Sequence, residues 1–265
     1  DYNSLIRVLN MLEWYRRNIM QRYFIDEDLK DKDCLILTGN DLHHLKNVMR
    51  SKNGEKIICI DINGMVYLCV IDDLEQGLIK IVEELDENNE LDVEVTLVYA
   101  LPKGDKFELV LQKATELGVS RIVPLITRRC VVKIDKAKFS KKLTRYEKIL
   151  KEATQQSRRN KVPELVNIIK LDELKEYLGD YNLVAYEEKA KNDTDFALKE
   201  CLKQLNPGDK ITIIVGSEGG FDYEEISMME SMNINACSLG KRILRSETAP
   251  LYLLSVIGFA REIGK

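Results

Sequence analysis

The sequence predicts an α/β fold in which a mostly parallel sheet follows a smaller domain of short strands. Two observations carry this prediction. After about residue 91, apolar runs typical of buried strands alternate with segments of helical periodicity, which indicates a parallel sheet covered by helices on both faces. Before that point, short apolar runs are joined by turn residues, which indicates a small barrel.

The N-terminal domain is predicted from three short strands near 56–61, 65–71 and 78–82. The first two flank Asn63-Gly64, a dipeptide typical of a type I′ hairpin turn. The stretch 86–90 is acidic, polar and free of apolar residues, so it predicts a domain boundary.

The C-terminal domain is predicted from five apolar runs that read as strands, at 93–100, 122–126, 183–186, 211–215 and 234–239. The segments between them have helical character, so the strands should lie parallel in one sheet. The carboxyl ends of such strands form one edge, where open α/β sheets bind small ligands.

The last two strands are each followed by a loop suited to close ligand approach. Three glycines within 216–220 let the backbone turn tightly after the first of them. Asp222 and Glu225 then predict a capping box, and Ser246 predicts the N-cap of the last helix. Neither loop has a dinucleotide or phosphate motif, and Glu218 would repel a phosphate. A ligand with a cationic centre and an adenosine suits these loops better.

Composition agrees with an intracellular enzyme, and we expect a cytoplasmic location. The chain of 265 residues has six cysteines without a C-x-x-C pair, so neither a zinc ribbon nor a thioredoxin-type site is indicated. His43 and His44 are adjacent, which makes a poor metal pair on a helix, so we expect a structural or RNA-contacting role and no metal. No apolar stretch reaches the length of a membrane span.

Charge is distributed unevenly along the chain. The net charge is −4, yet residues 136–161 hold ten Lys or Arg against two Glu, a local charge of +8. Such an asymmetry is typical of a surface that binds a polyanion such as RNA. The alternative is a solvated helix, because apolar residues recur at helical spacing and would leave the lysines outside the apolar stripe. Both interpretations remain open.

Five segments, taken in order, carry a resemblance to a known family: 41–50, 103–119, 152–163, 215–221 and 238–249. The last two match G-x-E-G-G-F and L-G-x-R-I-L-R-x-E-T-A. The chain resembles the RsmE-type 16S ribosomal RNA methyltransferases, S-adenosylmethionine enzymes of the SPOUT class. One departure is Ser217, where family members often have Pro. Residues 1–19 match nothing, so we expect them to be an extension.

The resemblance implies a PUA-like β-barrel domain over 20–90 and a SPOUT methyltransferase domain with a trefoil knot over 91–265. It also implies methylation of N3 of uridine 1498 in 16S ribosomal RNA of the small ribosomal subunit, and a homodimer. Two rival classes are a non-catalytic RNA-binding assembly factor and a nucleotide-phosphate enzyme. The first would not need glycines in both loops, and the second would need the missing phosphate motifs.

The resemblance, together with the position of the loops, selects the site residues. The expected S-adenosylmethionine contacts come from the two loops and the end of the preceding strand: Tyr186, Glu187, Gly216, Glu218, Gly219, Ser238, Leu239, Gly240, Ile243 and Leu244. The expected RNA contacts are polar or cationic: Arg22, Arg50, Lys103, Gln156, Arg158, Arg159 and Arg242.

Methylation of a uracil ring nitrogen requires that nitrogen to lose its proton. Both histidines lie in the N-terminal domain, so the general base stays unassigned. The expected catalytic residues are Arg245, Glu218 and Arg159, of which the arginines could hold a uracil anion or a phosphate. Ile243 and Leu244 are expected to anchor the loop that carries Arg245.

Overall fold

A computed structural model of the chain describes residues 20–132, 134–186 and 197–264. It divides into two compact units, with the division between Asn89 and Glu90. The second unit therefore begins one residue before the expected start at 91. None of the described helices is both long and apolar enough to cross a membrane.

The first unit is a five-stranded sheet with the order β1-β3-β4-β5-β2. Its elements are β1 (Arg22–Phe24), β2 (Cys34–Ile36), α1 (Gly39–His43) with a π-helical turn (His44–Val48), β3 (Lys56–Ile60), β4 (Val66–Asp73) and β5 (Leu78–Leu85). β1 runs parallel to β3, and the other pairs are antiparallel. The core of the unit includes Tyr23, whose hydroxyl lies 3.1 Å from Nδ1 of His44.

The hairpin between β3 and β4 differs from the predicted type I′ turn. That turn needs a positive φ at both central residues. Gly64 has a φ of 84°, but the φ of Asn63 is not positive. The amide of Gly64 instead donates to the carbonyl of Asp61 at 3.0 Å. The Asp61 carboxylate accepts hydrogen bonds from the amides of Asn63 (2.8 Å) and Met65 (2.9 Å). These bonds stabilise a loop that is longer than the two-residue loop of a type I′ hairpin.

The second unit is a seven-stranded sheet in which every strand pair among the described residues is parallel. Its strands are β6 (Glu94–Ala100), β7 (Arg121–Ile126), β8 (Glu164–Leu165), β9 (Ile169–Lys170), β10 (Tyr181–Ala185), β11 (Lys210–Val215) and β12 (Asn235–Cys237). Their order is β12-β10-β11-β6-β7-β8, and β9 also pairs with β7. The predicted parallel sheet is confirmed.

Helices cover both faces of this sheet, as predicted. They are α2 (Lys106–Glu116), α3 (Lys136–Ser157), a 3-10 helix (Leu171–Tyr177), α4 (Ala197–Gln204), α5 (Tyr223–Ser231) and α6 (Thr248–Gly258), which continues as a π-helical turn (Phe259–Ile263). Alternate residues of β6 enter different cores. Leu97 and Tyr99 pack with α2, α3 and α6, whereas Val98 packs with α5.

Residues 187–196, between β10 and α4, lie outside the described part of the chain. The trefoil knot implied by the family resemblance therefore stays a prediction. All six cysteines are free thiols, and four of them are buried.

Candidate active site

Three strand ends meet at the carboxyl edge of the C-terminal sheet. β10 lies between β11 and β12, with Val184 paired to Ile214 on one side and to Ala236 on the other. Because all three strands run parallel, their following residues leave the sheet at the same edge. The two glycine-containing loops and Tyr186 are thereby brought together.

These segments line a cavity of about 680 Å³. It includes eight of the ten residues expected to bind the cofactor: Tyr186, Gly216, Glu218, Gly219, Leu239, Gly240, Ile243 and Leu244. Glu187 lies outside the described residues. Ser238 is not in the cavity wall, and its hydroxyl accepts the amide of Gly240 at 3.0 Å, which shapes the turn that follows β12.

The first loop, 216–221, is tightly folded. The Gly220 amide donates to the Ser217 carbonyl at 2.9 Å, and Gly220 has a φ of 64°, a conformation that favours glycine. A Cβ at Gly216 would lie 3.0 Å from the Cα of Gly220. The guanidinium of Arg129 donates to the Gly219 carbonyl at 3.1 Å. The backbone of this loop can therefore approach a ligand closely while it is held from behind.

The first loop leads into α5 through the predicted capping box, which the structure confirms. The Asp222 carboxylate accepts the Glu225 amide at 2.8 Å, and the Glu225 carboxylate accepts the Asp222 amide at 3.0 Å. Glu225 also accepts the amide of Arg128 at 2.8 Å. Two residues after the glycines, the chain direction is thus fixed by part-buried hydrogen bonds.

The second loop ends differently from the prediction. Ser246 does not cap α6, because its hydroxyl donates to the Glu247 carboxylate at 3.2 Å and Glu247 is the N-cap residue. The carbonyl of Arg245 accepts the amides of Thr248 (2.9 Å) and Ala249 (3.0 Å), so backbone bonds begin the helix instead. Arg245 lines the cavity and its side chain is exposed.

The expected anchoring of this loop by Ile243 and Leu244 holds for one of the two residues. Leu244 packs against the core that α2, α3 and α6 share. Ile243 is 82% exposed at the cavity wall, so it offers an apolar surface there instead of an anchor.

Lys106, in the first turn of α2, links the two loops. Its ammonium lies 2.9 Å from Glu218 in the first loop and 3.1 Å from Glu247 in the second. The hydrogen bonds to Glu218 and Glu247 raise the pKa of Lys106, so it stays protonated. Sequence reasoning did not select this residue, although it lies in a segment, 103–119, that carries the family resemblance.

Both carboxylates that Lys106 contacts stay ionised. Burial raises the pKa of Glu218, but hydrogen bonds from Lys106 and from the amide of Lys103 oppose this, and the pKa of Glu218 lies below its ordinary value. Burial likewise raises the pKa of Glu247, and hydrogen bonds from its own amide, Lys106 and Ser246 bring that pKa below its ordinary value. Glu218 is therefore a poor proton acceptor, and its contacts give it a positioning role.

Replacement of Lys106 with Met should destabilise the protein at neutral pH, since two ionised carboxylates lose their shared cation. Because their folded pKa values are lowered, this contribution is present above the unfolded carboxyl pKa of about 4.3 and is lost as the pH falls through the folded values. The stability difference between wild type and Lys106→Met, measured by urea denaturation, should therefore narrow toward acid pH. Lys106→Arg keeps the charge and is the control. A difference that stays constant with pH would contradict the assignment.

Arg159 is placed away from the cavity and from solvent. It is 3% exposed, and its guanidinium bonds to the Glu90 carboxylate and to the carbonyls of Thr115 (3.0 Å) and Val119 (2.7 Å). Every nitrogen of the fork has a protein acceptor. The expectation that Arg159 contacts RNA or the uracil is therefore replaced by a structural role.

The other expected RNA contacts occupy varied positions. Arg22, in the first unit, is buried and pairs with Glu87 at 2.7 Å, whereas Arg50 is exposed with a φ of 54°. In the second unit, Lys103, Gln156 and Arg242 are exposed, and Arg242 lines the cavity. Arg158 takes the left-handed conformation, with a φ of 60°, that ends α3.

Two further cavity residues escaped the sequence analysis. Arg129 and Tyr223 both line the cavity. No motif contains Arg129, and only the fold brings it beside Gly219. Tyr223 follows the cap residue Asp222, and its position one residue from the loop was the available signal.

Within the described ranges, no three His, Cys, Asp or Glu side chains are grouped to hold a metal ion.

The chain is similar to known RNA methyltransferases. Residues 89–258 match the family model described as RNA methyltransferase domain, and residues 37–84 match RNA methyltransferase PUA domain. Ribosomal RNA small subunit methyltransferase E of Bacillus subtilis (strain 168) is 38% identical over 251 residues, which cover 92% of this chain and 98% of that protein.

Two solved structures are also similar. One is a ribosomal RNA small subunit methyltransferase E from Neisseria gonorrhoeae bound to S-adenosyl methionine, with a TM-score of 0.77, 30% identity and coverage of 90% of this chain and 96% of that one. The other is a methyltransferase from Legionella pneumophila with the bound cofactor SAM, at a TM-score of 0.77, 31% identity and the same coverage.

Proposed function

Because the chain belongs to the RNA methyltransferase family, with a PUA domain before the methyltransferase domain, we propose that it methylates N3 of uridine 1498 in 16S ribosomal RNA. It is an S-adenosylmethionine-dependent methyltransferase. The observation that carries the proposal is the cavity formed where two glycine-containing loops leave neighbouring parallel strands, with Arg245 in its wall.

The residues of the cavity fit S-adenosylmethionine. Gly216 and Gly219 leave the backbone of the first loop open to a ligand. A Cβ at Gly216 would crowd Gly220 in the same loop, and a Cβ at Gly219 would crowd Arg129 behind it. The cavity also includes one buried hydroxyl that lacks a protein partner among the described residues, that of Ser217. We propose that the loop residues and Tyr186 hold the cofactor. When bound, S-adenosylmethionine supplies an electrophilic methyl group.

The protein's own residues would then orient and stabilise the base. Uracil N3 becomes a nucleophile when it loses its proton, and the ring then carries negative charge. Arg245 is the cation whose charge would stabilise that anion beside the cavity. The charge of Lys106 is already paired with the carboxylates of Glu218 and Glu247, so Lys106 holds the two loops together and does not stabilise the uracil anion. The rate then depends largely on how these loops place the base in line with the departing sulfur.

Tyr99 is excluded as the general base by its environment. Burial raises the pKa of Tyr99 far above its ordinary value, and the nearby carboxylates of Glu218 and Glu247 raise it further. Its hydroxyl therefore stays protonated at neutral pH. Glu218 is ionised, but it accepts hydrogen bonds from the amide of Lys103 and the ammonium of Lys106, so neither Tyr99 nor Glu218 takes the N3 proton.

The basic helix α3 supports contact with ribosomal RNA. Its buried residues form one stripe, and the lysines lie outside it. Lys136, Arg145 and Lys148 lie near Glu173, Glu108 and Glu152 respectively. Lys141 and Lys142 are exposed, so their charges are available to phosphates.

A double Lys141→Ala, Lys142→Ala variant should bind 16S ribosomal RNA less tightly and with weaker salt dependence. Each phosphate contact removed lowers the log–log slope of affinity against salt by about 0.7 to 0.9, so the slope should fall by about 1.4 to 1.8. Filter binding over a salt series measures it. The charge-matched control is Lys170→Ala, Lys175→Ala, which should keep the wild-type slope. If both doubles behave alike, α3 is a solvated surface.

We also propose that a second copy of the chain completes the assembly. The C-terminal helix α6 and its π-helical turn present three exposed apolar side chains, Tyr252, Phe259 and Ile263. A homodimer would cover this face. Light scattering of the purified protein measures the mass in solution, which should be twice that of one chain. The cytoplasmic location stays a prediction.

The proposed target is tested by nucleoside mass spectrometry of 16S ribosomal RNA from cells with and without this protein. Loss of 3-methyluridine at position 1498, and its return with the wild-type gene, is the expected result. The modification would persist without the protein if the target were another nucleotide. The family is one of methyltransferases, which disfavours the alternative of a non-catalytic RNA-binding assembly factor.

A further inference from the structure

Ser217 has the one cavity side chain whose polar atom is buried without a hydrogen-bond partner in the described part of the chain. It is the second residue of the first loop, is 6% exposed and lines the cavity. Most buried hydroxyls in native proteins are paired with protein groups or ordered water, because an unpaired one loses its hydrogen bonds to water without replacement. A buried hydroxyl at a ligand cavity therefore indicates a partner that the ligand supplies.

Backbone hydrogen bonds within the loop fix the position of Ser217. Its carbonyl accepts the Gly220 amide at 2.9 Å, and the two residues form an antiparallel bridge. Two residues further on, the Gly219 carbonyl accepts a hydrogen bond from the guanidinium of Arg129 at 3.1 Å. The loop thus keeps the hydroxyl at the cavity wall in the free protein.

We infer that the Ser217 hydroxyl binds a polar atom of S-adenosylmethionine and so contributes to cofactor affinity. This inference rests on the proposal that the cavity holds the cofactor. A hydroxyl can both donate and accept, so it can pair with an amino, hydroxyl or ring-nitrogen group. The carboxylate of the next residue, Glu218, already accepts hydrogen bonds from Lys106 and from the amide of Lys103.

Ser217→Ala should have opposite effects on two quantities, the stability of the free protein and its affinity for S-adenosylmethionine. The free protein should melt at or above the wild-type temperature, because the change removes an unpaired buried hydroxyl. S-adenosylmethionine should bind about 5- to 10-fold more weakly, the loss expected for one hydrogen bond. Differential scanning fluorimetry of the free protein and calorimetric titration with S-adenosylmethionine measure the two quantities. At saturating cofactor, kcat should change little while KM for the cofactor rises.

Ser231→Ala is the matched control, because Ser231 ends α5, is exposed and lies outside the cavity wall. It should keep wild-type cofactor affinity. Unchanged affinity in Ser217→Ala would overturn the inference, and so would a lower melting temperature of the free variant, which would show a protein partner for the hydroxyl. If Gly219→Val loses affinity while Ser217→Ala keeps it, only this inference fails. If the wild type does not bind S-adenosylmethionine, both fail.

Discussion

Gly219→Val is expected to remain folded and to lose S-adenosylmethionine affinity by about two orders of magnitude or more, as a calorimetric titration would show. A Cβ at this position would lie 3.0 Å from the Cβ of Arg129 and 3.1 Å from its carbonyl oxygen. Valine adds two methyl groups beyond that atom. The loop would have to move away from Arg129, and the backbone surface offered to the cofactor would move with it.

The crowding at Gly219 can be separated from the general effect of adding a side chain to a glycine. Gly219→Ala should give an intermediate loss, because a single Cβ needs a shift of only a few tenths of an ångström. Gly258→Ala is the control, since a Cβ there meets nothing within 4 Å and the residue is helical. A folded Gly219→Val protein with wild-type affinity would remove the first loop from the site.

Arg245→Ala should lower turnover by about two to three orders of magnitude at saturating cofactor and RNA, with cofactor affinity little changed. The proposed role is electrostatic: the guanidinium stabilises the negative uracil that forms when N3 loses its proton. The backbone of Arg245 also begins α6, but Ala can make the same backbone bonds to Thr248 and Ala249. Single-turnover kinetics measures the chemical step directly.

Two measurements keep this role distinct from loop shaping. Raising the pH should partly restore the activity of Arg245→Ala, because more of the uridine ionises unaided. Arg242→Ala removes the same charge from the same loop and should weaken RNA binding while turnover at saturation is kept. If Arg245→Ala instead loses cofactor affinity and keeps its turnover, Arg245 shapes the cofactor loop.

Periodicity and glycine placement predicted the architecture because both depend on local sequence. The apolar runs at 93–100 and 211–215 became adjacent parallel strands, and the capping box at Asp222 formed with Glu225. The hairpin around Asn63-Gly64 formed, since β3 and β4 pair antiparallel. Its predicted type I′ turn was wrong, because the Asp61 carboxylate outside the dipeptide accepts the turn amides.

The site was predictable where it consists of loop backbone, and less so where it depends on distant side chains. Lys106 and Arg129 reach the loops from other elements, and a single sequence carries no record of that proximity. Arg159 follows a basic helix and resembles a phosphate contact in its local sequence. Only the fold reveals that Glu90, nearly seventy positions away, binds its guanidinium.

The pairing of Glu90 with Arg159 sets a limit on where the polypeptide can be cut. Besides Arg159, the Glu90 carboxylate accepts the amides of Asn160 (2.8 Å) and Lys161 (3.1 Å), just after α3 ends. A fragment beginning at 91 would leave a buried guanidinium without its counter-ion, a loss typically worth about 3–5 kcal/mol. A fragment that contains only the methyltransferase domain should therefore begin at or before Glu90. The domain boundary predicted from the sequence would have placed its first residue at 91.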